Sequence, residues 1–313
     1  MKTKLIAVVG PTASGKTSLA VSIAEAFNGS VVSADSMQIY KHMEIATAKP
    51  TAEEMHGIKH YLIDFLDMDE SYSVGQYVID AKKAVNEIVS EGKTPVLCGG
   101  TGLYVDSLIN GIDFTDDSKD EKVRAELKAL LDEKGLDCLI EILRELDPQS
   151  AERLSVERNP KRIMRAIEFY RTTGTTITQQ NETSRLRGSE FNALIFGLTA
   201  SDRQYIYDRI NLRVDIMLQS GLLEEAKAVL SSDLSDTAKG AIGYRQLKPY
   251  FDGEKSLDEC IERLKIETRH YAKRQLTWFK RNENIRWINI DELRTTEEQL
   301  NSIENIIRGF ING

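Results

Sequence analysis

One octapeptide near the start of the chain does most to limit what it can fold into. Gly10-Pro11-Thr12-Ala13-Ser14-Gly15-Lys16-Thr17 matches the phosphate-binding pattern G-x-x-x-x-G-K-[ST] at every defined position. The apolar, β-branched run 5–9 before it suits one buried parallel strand. After it, Leu19, Ala20, Ile23 and Ala24 recur at helical spacing. Strand, glycine loop and helix in that order make an anion cradle, because the glycines let backbone N–H groups turn inward and the helix N-terminus adds its dipole. Lys16 supplies a point charge, and the Thr17 hydroxyl can hold Mg²⁺. A tight βα turn that binds nothing is the competing account. The loop calls for a polyphosphate; whether that is ATP or another nucleotide, and whether phosphoryl transfer is the reaction, stays open.

Length allows this core a companion. The 313 residues fit about two domains, or one with a large insertion. No apolar run approaches a membrane span, and the glycine loop begins too early for a signal peptide. Cys98, Cys138 and Cys260 are isolated and odd in number, so a reducing cytoplasm is expected, with each cysteine a small core hydrophobe. A net charge of −8 argues against unspecific nucleic-acid binding and leaves room for a local basic patch.

Residues 31–35 read as a second strand ending in Asp35. Ligands of open α/β sheets sit beyond the carboxyl ends of the strands, so Asp35 can face the glycine loop's crevice; as an N-cap or Asx-turn residue it would serve structure alone. Residues 60–65 read as a third strand, and Ser73 with Gln76 opens a helix along Val74, Val78, Ala81, Val85 and Ile88. Another strand ends in Gly99-Gly100-Thr101-Gly102, a glycine cluster expected to let backbone approach a ligand. Alternating strand and helix predict an α/β fold: a P-loop-like, three-layer parallel sheet over 1–113 and 190–313. The interval 114–189 is helical and highly charged, and reads as an inserted helical subdomain. Its third helix opens at Asn159-Pro160, and residues 172–181, with five threonines, read as a mobile loop.

Farther on, Ser201 is expected to cap a helix that stops at Gly221, on which Arg209 and Arg213 share a face. A polar hinge and Gly240, Gly243, Tyr244 and Arg245 follow, two glycines beside an aromatic and an arginine. Ser256 with Glu259 opens a long helix. Between residues 263 and 286, Arg263, Lys265, Arg269, Lys273, Arg274, Lys280, Arg281 and Arg286 face only Glu267 and Glu283 as acids, with Tyr271, Trp278 and Phe279 interleaved. In an acidic chain that stretch is the footprint expected of a polyanion site; a solvated amphipathic helix is the plainer account.

The ordered blocks resemble the tRNA dimethylallyltransferase family nearly end to end. They are residues 10–17, Ser33-Ala34-Asp35-Ser36 with Gln38-Ile39-Tyr40, Thr47-Ala48-Lys49-Pro50, His60-Tyr61-Leu62-Ile63-Asp64, Gly99-Gly100-Thr101-Gly102-Leu103-Tyr104, residues 159–165, Arg213 with Met217 and Gly221-Leu222, Gly243-Tyr244-Arg245-Gln246, and residues 268–279. The resemblance implies that the loop holds the diphosphate of dimethylallyl diphosphate with Mg²⁺, that adenosine N6 attacks the allylic carbon, and that pyrophosphate leaves. It assigns Asp35 as general base, Thr101 to a place beside the base, and Lys16 and Arg213 to the leaving group. It implies a tRNA anticodon stem-loop as partner, an extruded adenosine next to the anticodon, and a monomer. Its tRNA contacts map onto Asp35, Ser36, Met37, Gln38, Thr101, Arg124, Asn159, Pro160, Lys161, Arg162, Ile163, Gly240, Gly243, Tyr244, Arg245, Arg269, Lys273, Arg274, Lys280 and Arg281. This sequence departs from the pattern at Ala34 and at residues 42–46, where a glycine is common, and it carries no zinc finger, as expected of a bacterial-type member. A P-loop small-molecule kinase, an adenylate isopentenyltransferase acting on free nucleotide, and a non-catalytic RNA-binding module or nucleotide switch are the rival readings.

Overall fold

The computed structural model describes residues 2–112 and 120–313, which fall into two compact units, Met1–Ile109 with Phe191–Gly313, and Asn110–Glu190. The sequence boundary at 113/114 lies outside the described residues. In the first unit, β1 (Thr3–Val9), β2 (Gly29–Ser33), β3 (His60–Tyr61), β4 (Thr94–Gly99), β5 (Phe191–Thr199) and β6 (Ile285–Asn289) form one sheet in the order β3-β2-β4-β1-β5-β6. Every pairing is parallel, so the α/β, P-loop-like sheet expected from the sequence is what the chain builds. Strand β1 lies inside the sheet, and its apolar residues 5–9 are fully buried. The chain leaves β1 for strands on one side and returns later to β5 on the other, which puts the first βα loop at the switch point where such sheets bind ligands. Helix α1 (Lys16–Ala26) packs Leu19, Ala20 and Ile23 into the same core as Ile6, Val8, Val96 and Phe196. Helices α2 (Val74–Ser90) and α3 (Gly102–Ile109) flank the sheet.

The expected third strand is cut to two residues because Leu62 and Asp64 adopt φ of 59° and 56°, which breaks the extended backbone. Ser201 is not the cap of its helix: Asp202 is, accepting from the Gln204 N–H at the start of α8 (Arg203–Gln219).

The second unit is all-helical among its described residues: α4 (Glu121–Leu146), α5 (Pro148–Glu157), α6 (Pro160–Thr173) and α7 (Ile177–Arg187). Helix α4 has two arms, separated at Gly135 with φ 77°: Val123, Leu127, Leu130 and Leu131 make the apolar stripe of the first, and Leu136, Leu139, Ile140 and Leu143 that of the second. Leu127, Leu139, Leu143, Leu154, Ile163 and Ile167 make this unit's own core. Residues 172–181 are not a loop. Gly174 ends α6 in the left-handed region, and α7 starts three residues later. The threonines lose their turn-forming character by bonding elsewhere: Thr172 and Thr173 donate to the Phe169 carbonyl, and Thr178 donates to Asp147 at 2.6 Å.

Downstream, the expected polar hinge contains α9 (Leu222–Leu230), which buries Leu222, Ala226 and Val229. After α10 (Tyr244–Phe251), the basic helix is α11 (Leu257–Phe279), opened by the reciprocal Ser256/Glu259 capping box. Helix α12 (Thr296–Asn312) closes the chain.

Candidate active site

The phosphate loop is wound by three residues in the positive-φ region: Gly10 at 144°, Ala13 at 61° and Gly15 at 90°. A Cβ on Gly10 would stand 2.7 Å from the Leu198 carbonyl oxygen, so no other residue fits that turn. Gly15 precedes α1 and offers no side-chain cap, which leaves the first-turn N–H groups to an anion. Lys16 reaches back to the Pro11 carbonyl at 2.6 Å, and Arg209 of α8 donates to the Ala13 carbonyl at 2.7 Å, so the loop is tied from both sides. Withdrawal from water lowers the Lys16 pKa to about 8, and Arg213 adds to that lowering. Burial pushes the Cys98 thiol up to about 11, so charge relief for Lys16 comes from Asp35 rather than from a thiolate. Such an ammonium is the major form at neutral pH and is lost above pH 8. Pyrophosphate affinity in metal-free buffer, corrected for the ionisation of pyrophosphate itself, is therefore expected to be pH-independent well below 8 and to fall up to about tenfold per unit above it, a profile that calorimetry over pH 6–10 reads.

Both readings of Asp35 hold at once. Its Oδ1 accepts from the Met37 and Gln38 N–H groups, an Asx turn, while the residue lines the same cavity as Lys16 and Thr17. Oδ2 lies outside that turn. Thr101, at the start of α3, accepts from the Ser36 N–H through Oγ1 at 3.1 Å, fastening the β4 loop to the Asp35 turn.

The cavity holds about 440 Å³. Its lining combines polar and charged groups, among them Thr12, Lys16, Thr17, Asp35 and Arg213, with apolar ones, among them Ile210, Val214, Met217, Leu222 and Leu264. Arg213 is not a solvated surface arginine. It is half-buried in the cavity wall, where desolvation lowers its pKa from the ordinary guanidinium value against the pull of Glu54 and Asp35. Ser36, Met37, Gln38, Gly240, Gly243, Arg245 and Arg274 line the same space.

The second glycine cluster borders the cavity, as expected, through Gly99 and Gly100, and it also makes room for protein. A Cβ on Gly99 would lie 2.2 Å from the Ala34 carbonyl oxygen, one on Gly100 2.2 Å from Gln275 Nε2, and one on Gly102 2.2 Å from the Trp278 ring. Gln275 and Trp278 belong to α11, so the cluster seats the basic helix against the sheet. Gln275, buried, accepts from the Thr12 N–H at 2.8 Å and donates to the Gly100 carbonyl at 3.0 Å, joining α11 to the phosphate loop. Trp278 donates to Asp106 at 2.7 Å, and the Arg281 guanidinium lies 5.0 Å from its ring.

The polyanion footprint is smaller than the count of basic residues implied. Arg263 pairs with Glu267, Lys265 with Asp215 at 2.7 Å, and Arg269 donates to Asn211 at 2.7 Å. Lys273, Arg274, Lys280 and Arg281 remain exposed with no carboxylate partner among the described residues. Tyr244 does not present its ring to solvent: it is buried and donates to Glu225 at 2.9 Å, and burial raises its phenol above the ordinary value. Gly243, at φ 119°, brings that segment against Ala46.

In the helical unit the Asn159 side chain caps α6, accepting from Lys161 and Arg162, with Pro160 in the first turn. Ile163 is fully buried in the unit's core, so its side chain reaches no partner outside it. Arg162 bonds Glu157 at 2.6 Å and Arg124 bonds the buried Glu168 at 3.3 Å; Lys161 is exposed. Sequence reasoning missed Gln275, Arg209 and Glu225, because each acts on a segment far away along the chain.

Fold and cavity define an α/β protein whose phosphate-loop pattern opens onto a cavity with polar and apolar lining, next to a helix that carries exposed cations. Comparison with known proteins gives the family. The family model described as IPP transferase matches residues 38–282. A tRNA dimethylallyltransferase of Acetivibrio thermocellus is 46% identical over 308 residues, covering 98% of each chain. The full-length tRNA isopentenylpyrophosphate transferase structure from Bacillus halodurans superposes with a TM-score of 0.74 at 40% identity, covering 99% of this chain and 97% of that one. A eukaryotic dimethylallyltransferase, solved in crystallographic snapshots acting on tRNA, gives a TM-score of 0.81 at 27% identity, covering 98% of this chain and 80% of that one. The chain belongs to the IPP transferase family and is a transferase.

Proposed function

We propose that this protein transfers the dimethylallyl group of dimethylallyl diphosphate to N6 of an adenosine beside the anticodon of tRNA and releases pyrophosphate. One observation carries the reading: Asp35, Lys16, Thr17 and Arg213 share a cavity with apolar lining residues, at the flank of an exposed cationic helix. A kinase needs the anion cradle and has no use for the rest.

The residues divide the work. The diphosphate lies on residues 12–17 and α1's N-terminus, and the five-carbon chain lies against Val214, Met217 and Leu222. The N6–C1 bond forms as the C1–O bond breaks; the N6 proton passes to Asp35, and Lys16 and Arg213 take the negative charge that grows on pyrophosphate. The Thr17 hydroxyl lines the cavity, an oxygen donor that suits a hard divalent cation whose other oxygens come from phosphate and water. Mg²⁺ held by Thr17 would add charge neutralisation at the leaving group.

An adenosine stacked in an anticodon loop must be extruded to enter a cavity of this kind. Lys273, Arg274, Lys280 and Arg281 would hold phosphates around it, and Thr101 would border the base; in the helical unit Lys161 and Arg162 are the groups that would take RNA phosphates. The reading places the protein in the cytoplasm as a monomer; among the described residues no helix is long and apolar enough to cross a membrane.

Labelled dimethylallyl diphosphate incubated with unmodified tRNA tests it, with ATP and free AMP as controls. Label is expected on tRNA alone. ATP turnover without transfer to RNA would sink the reading in favour of a kinase, and label on AMP would shift it to a free-nucleotide prenyltransferase.

A further inference from the structure

Residues 42–46, where the family pattern commonly has glycine, form a loop held by one carboxylate. Glu225 of α9 accepts from the N–H groups of Glu44 at 2.9 Å, Ile45 at 2.7 Å and Ala46 at 2.9 Å. The Tyr244 hydroxyl donates to it as well, at 2.9 Å. Successive backbone N–H groups converging on one point make an anion site, and here the anion is the protein's own side chain. His42, at φ 63°, takes the left-handed conformation that a glycine adopts freely.

The clamp has a consequence on the loop's far side. Gln38 Nε2 lies 3.2 Å from the Thr47 carbonyl and 3.0 Å from the Ala48 carbonyl. Two carbonyl oxygens can face only the NH₂ end of an amide, so the chemistry fixes which way the amide points. Gln38 and residues 46–48 line the cavity beside Asp35. With both amide hydrogens committed to the loop, Gln38 has only its Oε1 acceptor left for a ligand.

We infer that Glu225 is a positioning residue: through residues 44–48 it sets the Gln38 amide, so that the cavity offers an acceptor to a purine carrying an amine at C6. The inference rests on the reading that the cavity takes an adenine. Such an amine has two N–H bonds, one for Asp35 to deprotonate and one for an acceptor that holds the ring. A 6-oxo purine would set its own acceptor against Oε1 and leave both unpaired. Glu225→Gln replaces one acceptor oxygen by an NH₂ group facing donors, which frees the loop and lets the Gln38 amide turn.

The test is a double-mutant cycle on dimethylallyl transfer to tRNA. Glu225→Gln and Gln38→Leu are each expected to raise KM for tRNA about tenfold, with kcat less affected and pyrophosphate affinity unchanged. Each should also lose about tenfold in the binding preference, read by equilibrium titration without dimethylallyl diphosphate, for a stem-loop bearing adenosine over one bearing inosine at the target site. The double variant should be no worse than the poorer single, because both break one chain of contacts. Additive losses, or a Glu225→Gln enzyme with wild-type KM, would overturn the inference. If Glu225→Gln does not fold, Tyr244→Phe removes one of the four donors and is run in the same cycle, expecting a two- to threefold effect that vanishes in the Gln38→Leu background. Persistence of that effect would count against the inference. Wild-type protein that labels no tRNA would instead defeat the functional reading itself, so the two failures are distinct.

Discussion

Asp35→Asn is expected to lower kcat for dimethylallyl transfer about 10²–10⁴-fold, the range over which a positioned base acts, while tRNA affinity stays within a fewfold of wild type. Asparagine is the informative substitution because Asp35 has two jobs. Its Oδ1 accepts from the Met37 and Gln38 N–H groups and so shapes the turn that presents Ser36, Met37 and Gln38 to the cavity. An amide oxygen keeps that turn but takes up no proton. Asp35→Ala removes both functions and is expected to add a rise in KM for tRNA to the loss in kcat. Single-turnover transfer to tRNA, with tRNA binding measured separately, resolves the two components. Turnover equal to wild type in Asp35→Asn would remove this carboxylate from the chemistry. A loss confined to KM would leave it only the structural role.

What could be read from the sequence depended on how far apart the cooperating residues lie. Residues 10–17 carry their meaning locally, since strand, loop and helix follow one another and the φ values at Gly10 and Gly15 require glycine. The parallel sheet was legible for the same reason: buried parallel strands read as short apolar runs between helices. The capping box at Ser256 and Glu259 spans one helical turn and was equally plain. The errors share the opposite cause. Gly99 and Gly100 do border the cavity, but nothing local announces that the cluster must also admit Ala34, Gln275 and Trp278. Residues 172–181 have loop composition, but Asp147 and the helix carbonyls consume the polar groups that would have favoured turns. Glu225 is one acid on an amphipathic helix until residues 44–46 fold onto it. Local pattern carried the cradle, whereas the parts that shape the remainder of the cavity come from tertiary contact.

Lys273→Ala combined with Arg274→Ala is expected to weaken tRNA binding about a hundredfold at low salt and to leave pyrophosphate affinity unchanged, if each cation contributes about one tenfold step at an RNA phosphate. The pair is chosen on geometry. Arg263 and Lys265 are neutralised by Glu267 and Asp215, and Arg269 bonds Asn211, so removing them would disturb packing. Lys273 and Arg274 are exposed, and Arg274 borders the cavity mouth. Gln275 beside them is the residue that holds the phosphate loop, so the substitutions stop short of it. Binding through phosphates releases counterions, and loss of two contacts should flatten the slope of log Kd against log salt by about 1.4–1.8. Titrations of tRNA into both proteins from low to high salt separate this from a folding defect, which would weaken binding without changing the slope. Equal affinities at every salt concentration would mean that the cationic face of α11 does not touch the RNA, and that the tRNA approaches the cavity from another side.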